Sequence, residues 1–175
     1  MRHVLIRRCL FHSGGQTAIE TAFLLPMLIV LLGGVFELGR LMYIYNTLEK
    51  SMKSGVQYLQ RTQGVDFCNP SDPAFTDAAN FIVYGNLQGT GDAVLPGLTP
   101  SMVFFYGERG DPNTSLIVTC PCADTGSCDT QNGGTPPDYI VANLGAGYQL
   151  DMTFPMGVFG LVNLAVSVRL PFLGA

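Results

Sequence analysis

The sequence predicts an α+β protein in which a long, partly transmembrane N-terminal helix packs on a C-terminal antiparallel β-sheet of about four strands. Residues 18–38 are almost entirely apolar, and at ~1.5 Å per residue they extend about 30 Å, the thickness of a bilayer core. Beyond residue 100, short runs of β-branched and aromatic residues alternate with glycine, proline and aspartate. That alternation is typical of strands joined by turns.

The long helix is predicted to run from residue 16 to residue 62, well past the membrane segment. Apolar residues recur there at alternating steps of three and four, which is the period of one helical face. This stripe consists of Leu41, Tyr45, Leu48, Met52, Gly55 or Val56, and Leu59. An amphipathic helix of this kind buries its stripe against a folded domain, which we assign to residues 63–175.

Five residues of this helix are candidates for contacts with other helices or with the membrane boundary. Pro26 removes a backbone N–H and introduces a gentle kink that a membrane helix tolerates. Gly33 and Gly34 thin the helix and allow a neighbouring helix to approach closely. Glu37 and Arg40 lie three residues apart on one face, where the apolar run ends. They either form an ion pair there or leave Arg40 to extend toward the headgroups.

A second, shorter helix is predicted to follow the long one. Ser71 or Asp72 can cap its N-terminus, and Pro73 fits its first turn. Gly85 follows its last residue.

The sheet is predicted from four runs of apolar and β-branched residues. They cover residues 101–106, 115–120, 139–154 and 161–169. Gly145 and Gly147 interrupt the third run, and we interpret them as a bulge within one strand. A turn at residues 155–160 then leads into the last strand.

Charge is distributed unevenly along the 175 residues. Residues 1–15 contain three arginines and no acid, whereas the remainder contains six basic and thirteen acidic residues. An acidic body argues against a nucleic-acid partner, which requires a basic surface.

The Gly14-Gly15 pair comes before the apolar run, so we interpret residues 1–15 as a leader that differs from an ordinary secretory signal.

The two histidines, His3 and His12, both lie in this leader. If the leader is removed, the remaining chain has no histidine, which excludes Ser–His and Cys–His nucleophilic pairs and any metal site that uses histidine. We therefore predict no catalytic residues, no cofactor and no metal.

Four cysteines lie in the body of the chain, and Cys9 lies in the leader. Cysteines downstream of a membrane segment indicate an oxidising compartment and up to two disulfides. A bond between Cys120 and Cys122 is disfavoured because strand residues at i and i+2 present parallel side chains. We expect Cys68 to bond to Cys120 or Cys122. Cys128 then bonds to whichever of these two cysteines remains. The alternative is a zinc site formed by the four cysteines, although its usual paired spacing is absent.

Glu20 is the one carboxylate near the start of the apolar run. An ionisable group inside a membrane helix indicates a functional site. The alternative is that Glu20 lies at the headgroup level and stays hydrated. Position alone leaves both interpretations open.

Together these residues resemble the TadE-type pseudopilins of the tight-adherence (Flp-type) pilus system, a branch of the type IV pilins. The resemblance lies in residues 15–20 (GQTAIE), 24–26 (LLP), 36–40 (FELGR), 53–58 (KSGVQY) and 164–169 (LAVSVR). It is dense over residues 14–60 and weak between residues 65 and 160. Thr21 stands where the major Flp pilins have an aromatic residue, and the body is larger than theirs; both departures favour a minor pseudopilin.

The resemblance implies a pilin-like fold and a route of maturation. A prepilin peptidase would cut between Gly15 and Gln16, or one residue earlier, after Gly14. Glu20 would then be the fifth residue and would pair with the new N-terminal amine of a neighbouring subunit. The implied partners are this peptidase, other pilin and pseudopilin subunits, an inner-membrane assembly platform and the lipid bilayer.

The implied location is the inner membrane, crossed once, with the C-terminal domain in the periplasm and later entry into a pilus used for surface attachment. The count of basic residues on the two sides of the span is nearly balanced, so the cysteines and the bulk of the domain determine this orientation. A single-pass periplasmic binding protein unrelated to pili is the alternative, and a membrane-tethered enzyme is a third.

Overall fold

The computed structural model describes residues 14–111, 114–122, 128–152 and 160–173. The predicted leader lies almost entirely outside these ranges, as does most of the turn predicted before the last strand.

Helices come first in the described chain and strands follow. The helices are α1 (Gly14–Arg61) and α2 (Pro73–Tyr84), with short 3₁₀ turns at Pro100–Met102 and Thr130–Asn132. The strands are β1 (Val103–Gly110), β2 (Ile117–Thr119), β3 (Tyr139–Leu144), β4 (Tyr148–Asp151), β5 (Leu161–Leu164) and β6 (Ser167–Pro171). The predicted α+β class, a long N-terminal helix on an antiparallel sheet, is confirmed.

Helix α1 contains 48 residues and is about 70 Å long at 1.5 Å per residue. Among the described residues it is the helix long and apolar enough to cross a membrane, with a mean hydropathy of 2.2 in its most apolar window. That window has no buried residue, whereas the second half of α1 packs against the domain. This division between a bare half and a packed half makes α1 a single-pass membrane anchor.

The buried stripe of α1 differs from the prediction at its membrane end. Leu48, Met52, Val56 and Leu59 are fully buried as predicted. Ile44 is also buried, whereas Tyr45 is 41% exposed, so the assignment of Tyr45 to the stripe was wrong. Ile44 and Tyr45 both lie three or four residues from Leu41 and Leu48, so the helical period fits either one, and it is Ile44 that joins the buried core.

The main sheet has the strand order β2-β1-β3-β6 and is antiparallel throughout. Val103 lies opposite Leu144 at one end of the β1–β3 pair, and Glu108 lies opposite Tyr139 at the other. Helix α1 packs on β3 and β6, and α2 packs on α1. The main core therefore lies between the second half of α1 and the sheet.

Two of the predicted strands are each divided in two. The third run breaks after Leu144, where Gly147 has φ +74° and donates its N–H to the Leu144 carbonyl at 3.0 Å. This is a turn and not the predicted bulge, because a positive φ, which glycine adopts freely, redirects the chain. Strand β4 then leaves the main sheet and pairs with β5 in a separate two-stranded sheet. The last run likewise divides into β5 and β6.

The second helix is confirmed, and its cap is Asp72, one of the two residues predicted. The Asp72 Oδ1 accepts the Ala74 N–H at 2.8 Å, and Pro73 occupies the first turn. At the other end Gly85 has φ +70° and donates its N–H to the Phe81 carbonyl at 3.0 Å. Both ends of α2 are therefore fixed by local residue chemistry.

Candidate functional site

The candidate site is the N-terminal half of α1, because its large apolar side chains have no cover within the described chain. These side chains are between 53% and 79% exposed, and they are Ile19, Phe23, Leu24, Leu25, Met27, Leu28, Ile29, Val30, Leu31, Leu32, Val35, Phe36 and Leu38. Each such side chain gains roughly 1.5–3 kcal/mol on full burial. The segment therefore requires apolar surroundings, either lipid or other helices.

Glu20 lies on this exposed segment, about 9 Å along the helix from its start at Gly14. It is itself exposed. The neighbouring Thr21 donates its hydroxyl to the Thr17 carbonyl at 2.8 Å, which satisfies that hydroxyl within the helix. Glu20 is thus the acidic group of an otherwise apolar surface that faces outward.

The predicted cleavage position lies in α1, near the start of the described residues at Gly14. Gly15 is exposed, and beyond its own stretch of helix no described atom lies within 4 Å of the position that a Cβ would occupy. No other part of the described chain therefore covers Gly15.

Pro26, Gly33 and Gly34 all lie within the helix, as predicted. Pro26 cannot donate to the carbonyl four residues earlier. A Cβ placed on Gly34 would meet no atom within 4 Å. The described part of the domain therefore does not fill the space beside Gly34, and another helix can approach closely there.

Glu37 and Arg40 come together at the end of the exposed segment. The Arg40 Nη1 lies 3.5 Å from the Glu37 Oε2 and donates a second hydrogen bond to the Asp151 carbonyl at 3.2 Å. Glu37 is only 3% exposed. The sequence predicted the Glu37–Arg40 pair. It did not predict the contact of Arg40 with Asp151, because that contact depends on where β4 leaves the main sheet.

The four body cysteines form two pairs. Cys68 is bonded to Cys122 with a Cα–Cα distance of 5.4 Å, and Cys120 is bonded to Cys128 with a distance of 5.7 Å. The first bond joins the connection between α1 and α2 to the chain after β2. It fastens the helical layer to the far edge of the sheet.

The described part of the chain offers no cluster suited to a metal ion. In residues 14–111, 114–122, 128–152 and 160–173, no group of three or more His, Cys, Asp or Glu side chains could hold one. What the fold presents is an exposed apolar helix that carries Glu20 and is joined to the domain at Glu37 and Arg40.

In this architecture a long apolar helix projects from an α+β domain. Residues 15–53 match the family of TadE-like proteins, which confirms the resemblance over that part of the sequence. The match covers the whole exposed segment of α1 and the first part of its buried stripe. The family is a structural and non-enzymatic kind of protein, associated with the tight-adherence pilus. No curated protein and no solved structure matches the chain.

Proposed function

We propose that this protein is a minor pilin-like subunit, a pseudopilin without catalytic activity, needed for assembly of a tight-adherence pilus for surface attachment. The observation that carries the proposal is the coincidence of the TadE-like match over residues 15–53 with the uncovered apolar half of α1. A surface of this size, held outside the fold of its own chain, suits a subunit that exchanges lipid for other helices.

The first step of the proposal is removal of residues 1–15 by a prepilin peptidase that cuts between Gly15 and Gln16. The exposure of Gly15, which no other part of the described chain covers, supports this step. After the cut, residues 16–62 form the anchor and assembly helix, and residues 63–175 form the exported domain.

The second step is pairing of Glu20 with the amine that cleavage creates on a neighbouring subunit. When lipid is replaced by packed helices, a carboxylate buried among them requires an opposite charge. Cleavage creates a positively charged amine close to the level of Glu20 along the helix. Assembly therefore depends on prior cleavage. The open space beside Gly34, next to Gly33 in the sequence, gives a place where neighbouring helices can approach closely.

The proposed location is the inner membrane, with the domain in the periplasm and later incorporation into the pilus. The two disulfides support an oxidising compartment for the domain. Partners in this scheme are the prepilin peptidase, other pilin or pseudopilin subunits and the inner-membrane assembly platform.

The cleavage step is tested by the intact mass of the membrane-bound protein, produced with and without an active prepilin peptidase. With the enzyme, the chain should begin at Gln16. Gly15→Val should block the cut, whereas Gly15→Ala should permit partial cleavage. A chain that keeps residues 1–15 in cells with active peptidase would overturn the pilin assignment.

The assembly step is tested with Glu20→Gln and a matched control, Glu49→Gln. Glu49 lies on the same helix but in an exposed ion pair with Lys53 at 2.6 Å, away from the apolar segment. Glu20→Gln should be cleaved normally and should abolish pili or reduce them at least tenfold, while Glu49→Gln should leave them unchanged. Normal pili with Glu20→Gln would show that the carboxylate has no role in assembly.

A further inference from the structure

Within the described residues the β4–β5 hairpin ends at the pair Asp151 and Leu161, and this pair, called here the hairpin end, lies beside the boundary of the exposed apolar segment of α1. The Arg40 Nη1 donates to the carbonyl of Asp151, the last residue of β4, at 3.2 Å. Asp151 lies directly opposite Leu161, the first residue of β5. The hairpin end is therefore held at the level of Arg40 along the helix.

The geometry of α1 sets the depth of this level. Residues 17–36 span about 30 Å, which equals the hydrocarbon core of a bilayer. Arg40 lies four residues beyond Phe36, or about 6 Å further along the helix. The headgroup layer on each side of the core is roughly 5–8 Å thick. Arg40, and with it the end of the hairpin, falls inside that layer.

The side chains exposed at this level suit the same layer. Leu161 is 65% exposed on the hairpin, and on the helix Tyr43 is 71% exposed and Met42 is 64% exposed. Tyrosine is enriched where membrane meets water, because its ring is apolar and its hydroxyl is polar. Asp151, the charged residue of β4, has an exposed carboxylate, so attraction to anionic lipids is not the basis of the contact.

From this juxtaposition we propose that the β4–β5 hairpin is a second membrane contact, whose end, at Asp151 and Leu161, rests in the headgroup layer beside α1. The domain is then held against the bilayer at a fixed angle by two points, the helix and the hairpin. This inference rests on the membrane anchoring of α1 and is independent of the pilus role and of the direction in which α1 crosses the membrane.

The opposite end of the domain provides a control. Gln60 donates its side-chain amide to the Pro171 carbonyl, and Pro171 lies opposite Tyr139. Gln60 is twenty residues, or about 30 Å, further from the membrane than Arg40. Leu116 lies just before β2 at that far end and is 64% exposed, which matches the exposure of Leu161.

The test uses the absence of tryptophan from the chain. Leu161→Trp, Tyr43→Trp and Leu116→Trp each introduce a single tryptophan into the full chain, and its fluorescence is excited apart from that of the tyrosines. Each protein is reconstituted at low density in phosphatidylcholine vesicles with unlabelled lipid, or with lipid brominated near the top of the acyl chain. All three positions are exposed, so the substitutions leave the core unchanged.

The expected result is strong quenching by brominated lipid at Tyr43→Trp, quenching at least half as strong at Leu161→Trp, and none at Leu116→Trp. The Leu116→Trp arm also shows that an indole alone does not draw the domain to the bilayer. Quenching at Tyr43→Trp without quenching at Leu161→Trp would overturn the hairpin contact. No quenching at Tyr43→Trp would overturn the assigned depth of α1, and the hairpin contact with it, while leaving the cleavage and assembly tests unaffected.

Discussion

Gly55 of α1 lies directly against the side chain of Ile82 of α2, and this contact sets the distance between the two helices. A Cβ placed on Gly55 would come within 2.5 Å of the Ile82 Cδ1 and 3.1 Å of the Ala78 carbonyl oxygen. At the same crossing, the Ser51 hydroxyl donates to the Ile82 carbonyl. The glycine is required here by close approach, because nothing larger than hydrogen fits between the helices.

Gly55→Ala should therefore destabilise the domain, although alanine favours helix. Overpacking of this kind costs about 1–3 kcal/mol, and the gain in helix propensity returns at most about 1 kcal/mol. We expect a net loss of about 1–2 kcal/mol in the free energy of unfolding, measured by thermal unfolding of the full chain in detergent micelles.

Gly39→Ala is the matched control for this substitution. Gly39 lies in the same helix, and a Cβ there would meet no atom within 4 Å. This variant should unfold at the same temperature as the parent chain or slightly above it. Equal stability of Gly55→Ala and Gly39→Ala would show that α2 moves to accept the methyl group and that the crossing is not tightly packed.

Asp72 should stabilise the start of α2 through two separate hydrogen bonds. Its Oδ1 accepts the Ala74 N–H at 2.8 Å, and its Oδ2 accepts the Asp66 N–H at 2.9 Å. Asp72→Ala removes both acceptors and leaves buried N–H groups unpaired, so we expect a loss of about 2 kcal/mol or more. Asp72→Asn keeps one acceptor and should lose about half as much in the same unfolding measurement. A larger loss from asparagine than from alanine would contradict this account.

The elements that the sequence predicted correctly are those determined by neighbouring residues. The length of α1 follows from a periodic apolar stripe, and both ends of α2 follow from Asp72, Pro73 and Gly85. The errors concern long-range contacts. Ile44 and Tyr45 both fit the spacing of the stripe between Leu41 and Leu48, and the packing of the core, which buries Ile44, decides between them.

The same distinction explains the candidate site. Gly15, Glu20 and the apolar run are visible in the sequence because their chemistry is contained in one helix. The partnership of Arg40 with Asp151 is not visible, since it requires the chain to turn at Gly147 and form β4 outside the main sheet. The composition of residues 139–154 predicted one continuous strand. The positive φ of Gly147 turns the chain instead, and the run divides into β3 and β4.

The disulfide between Cys68 and Cys122 should contribute more stability than the one between Cys120 and Cys128. The sequence separations are 54 and 8 residues, and loop-closure entropy gives about 4 kcal/mol for the longer loop and about 2.5 kcal/mol for the shorter. Cys68→Ala/Cys122→Ala should therefore reduce the free energy of unfolding in urea by at least about 1 kcal/mol more than Cys120→Ala/Cys128→Ala.

Peptide mapping without reductant provides the control for this comparison. It should recover Cys68 joined to Cys122 and Cys120 joined to Cys128 in the parent chain. Each double variant should retain the other pair. Four alkylated body cysteines in unreduced protein would refute both bonds, and an equal loss of stability in the two double variants would refute the loop-length argument.

The contact of Arg40 with Glu37 and Asp151 decides between the two roles that the sequence left open for this arginine. If Arg40 clamps the domain to the helix, Arg40→Gln weakens the support of Glu37, which is only 3% exposed. The Arg40 side chain is 39% exposed, so solvent reduces the effect, and we expect a loss of about 1–2 kcal/mol.

A double-mutant cycle with Glu37→Gln measures the pair directly, by unfolding of the full chain in detergent micelles. Arg40→Gln/Glu37→Gln should cost about 1 kcal/mol less than the sum of the two single variants, because either substitution alone already breaks the ion pair between them. If the Arg40 side chain instead extended away from Glu37, the two substitutions would be additive. Lys53→Gln with Glu49→Gln is the matched control, since that exposed pair on the same helix, at 2.6 Å, should show a coupling of no more than about 0.5 kcal/mol. Coupling at Glu37 and Arg40 well above this value identifies the clamp that fixes the domain on the end of its membrane helix.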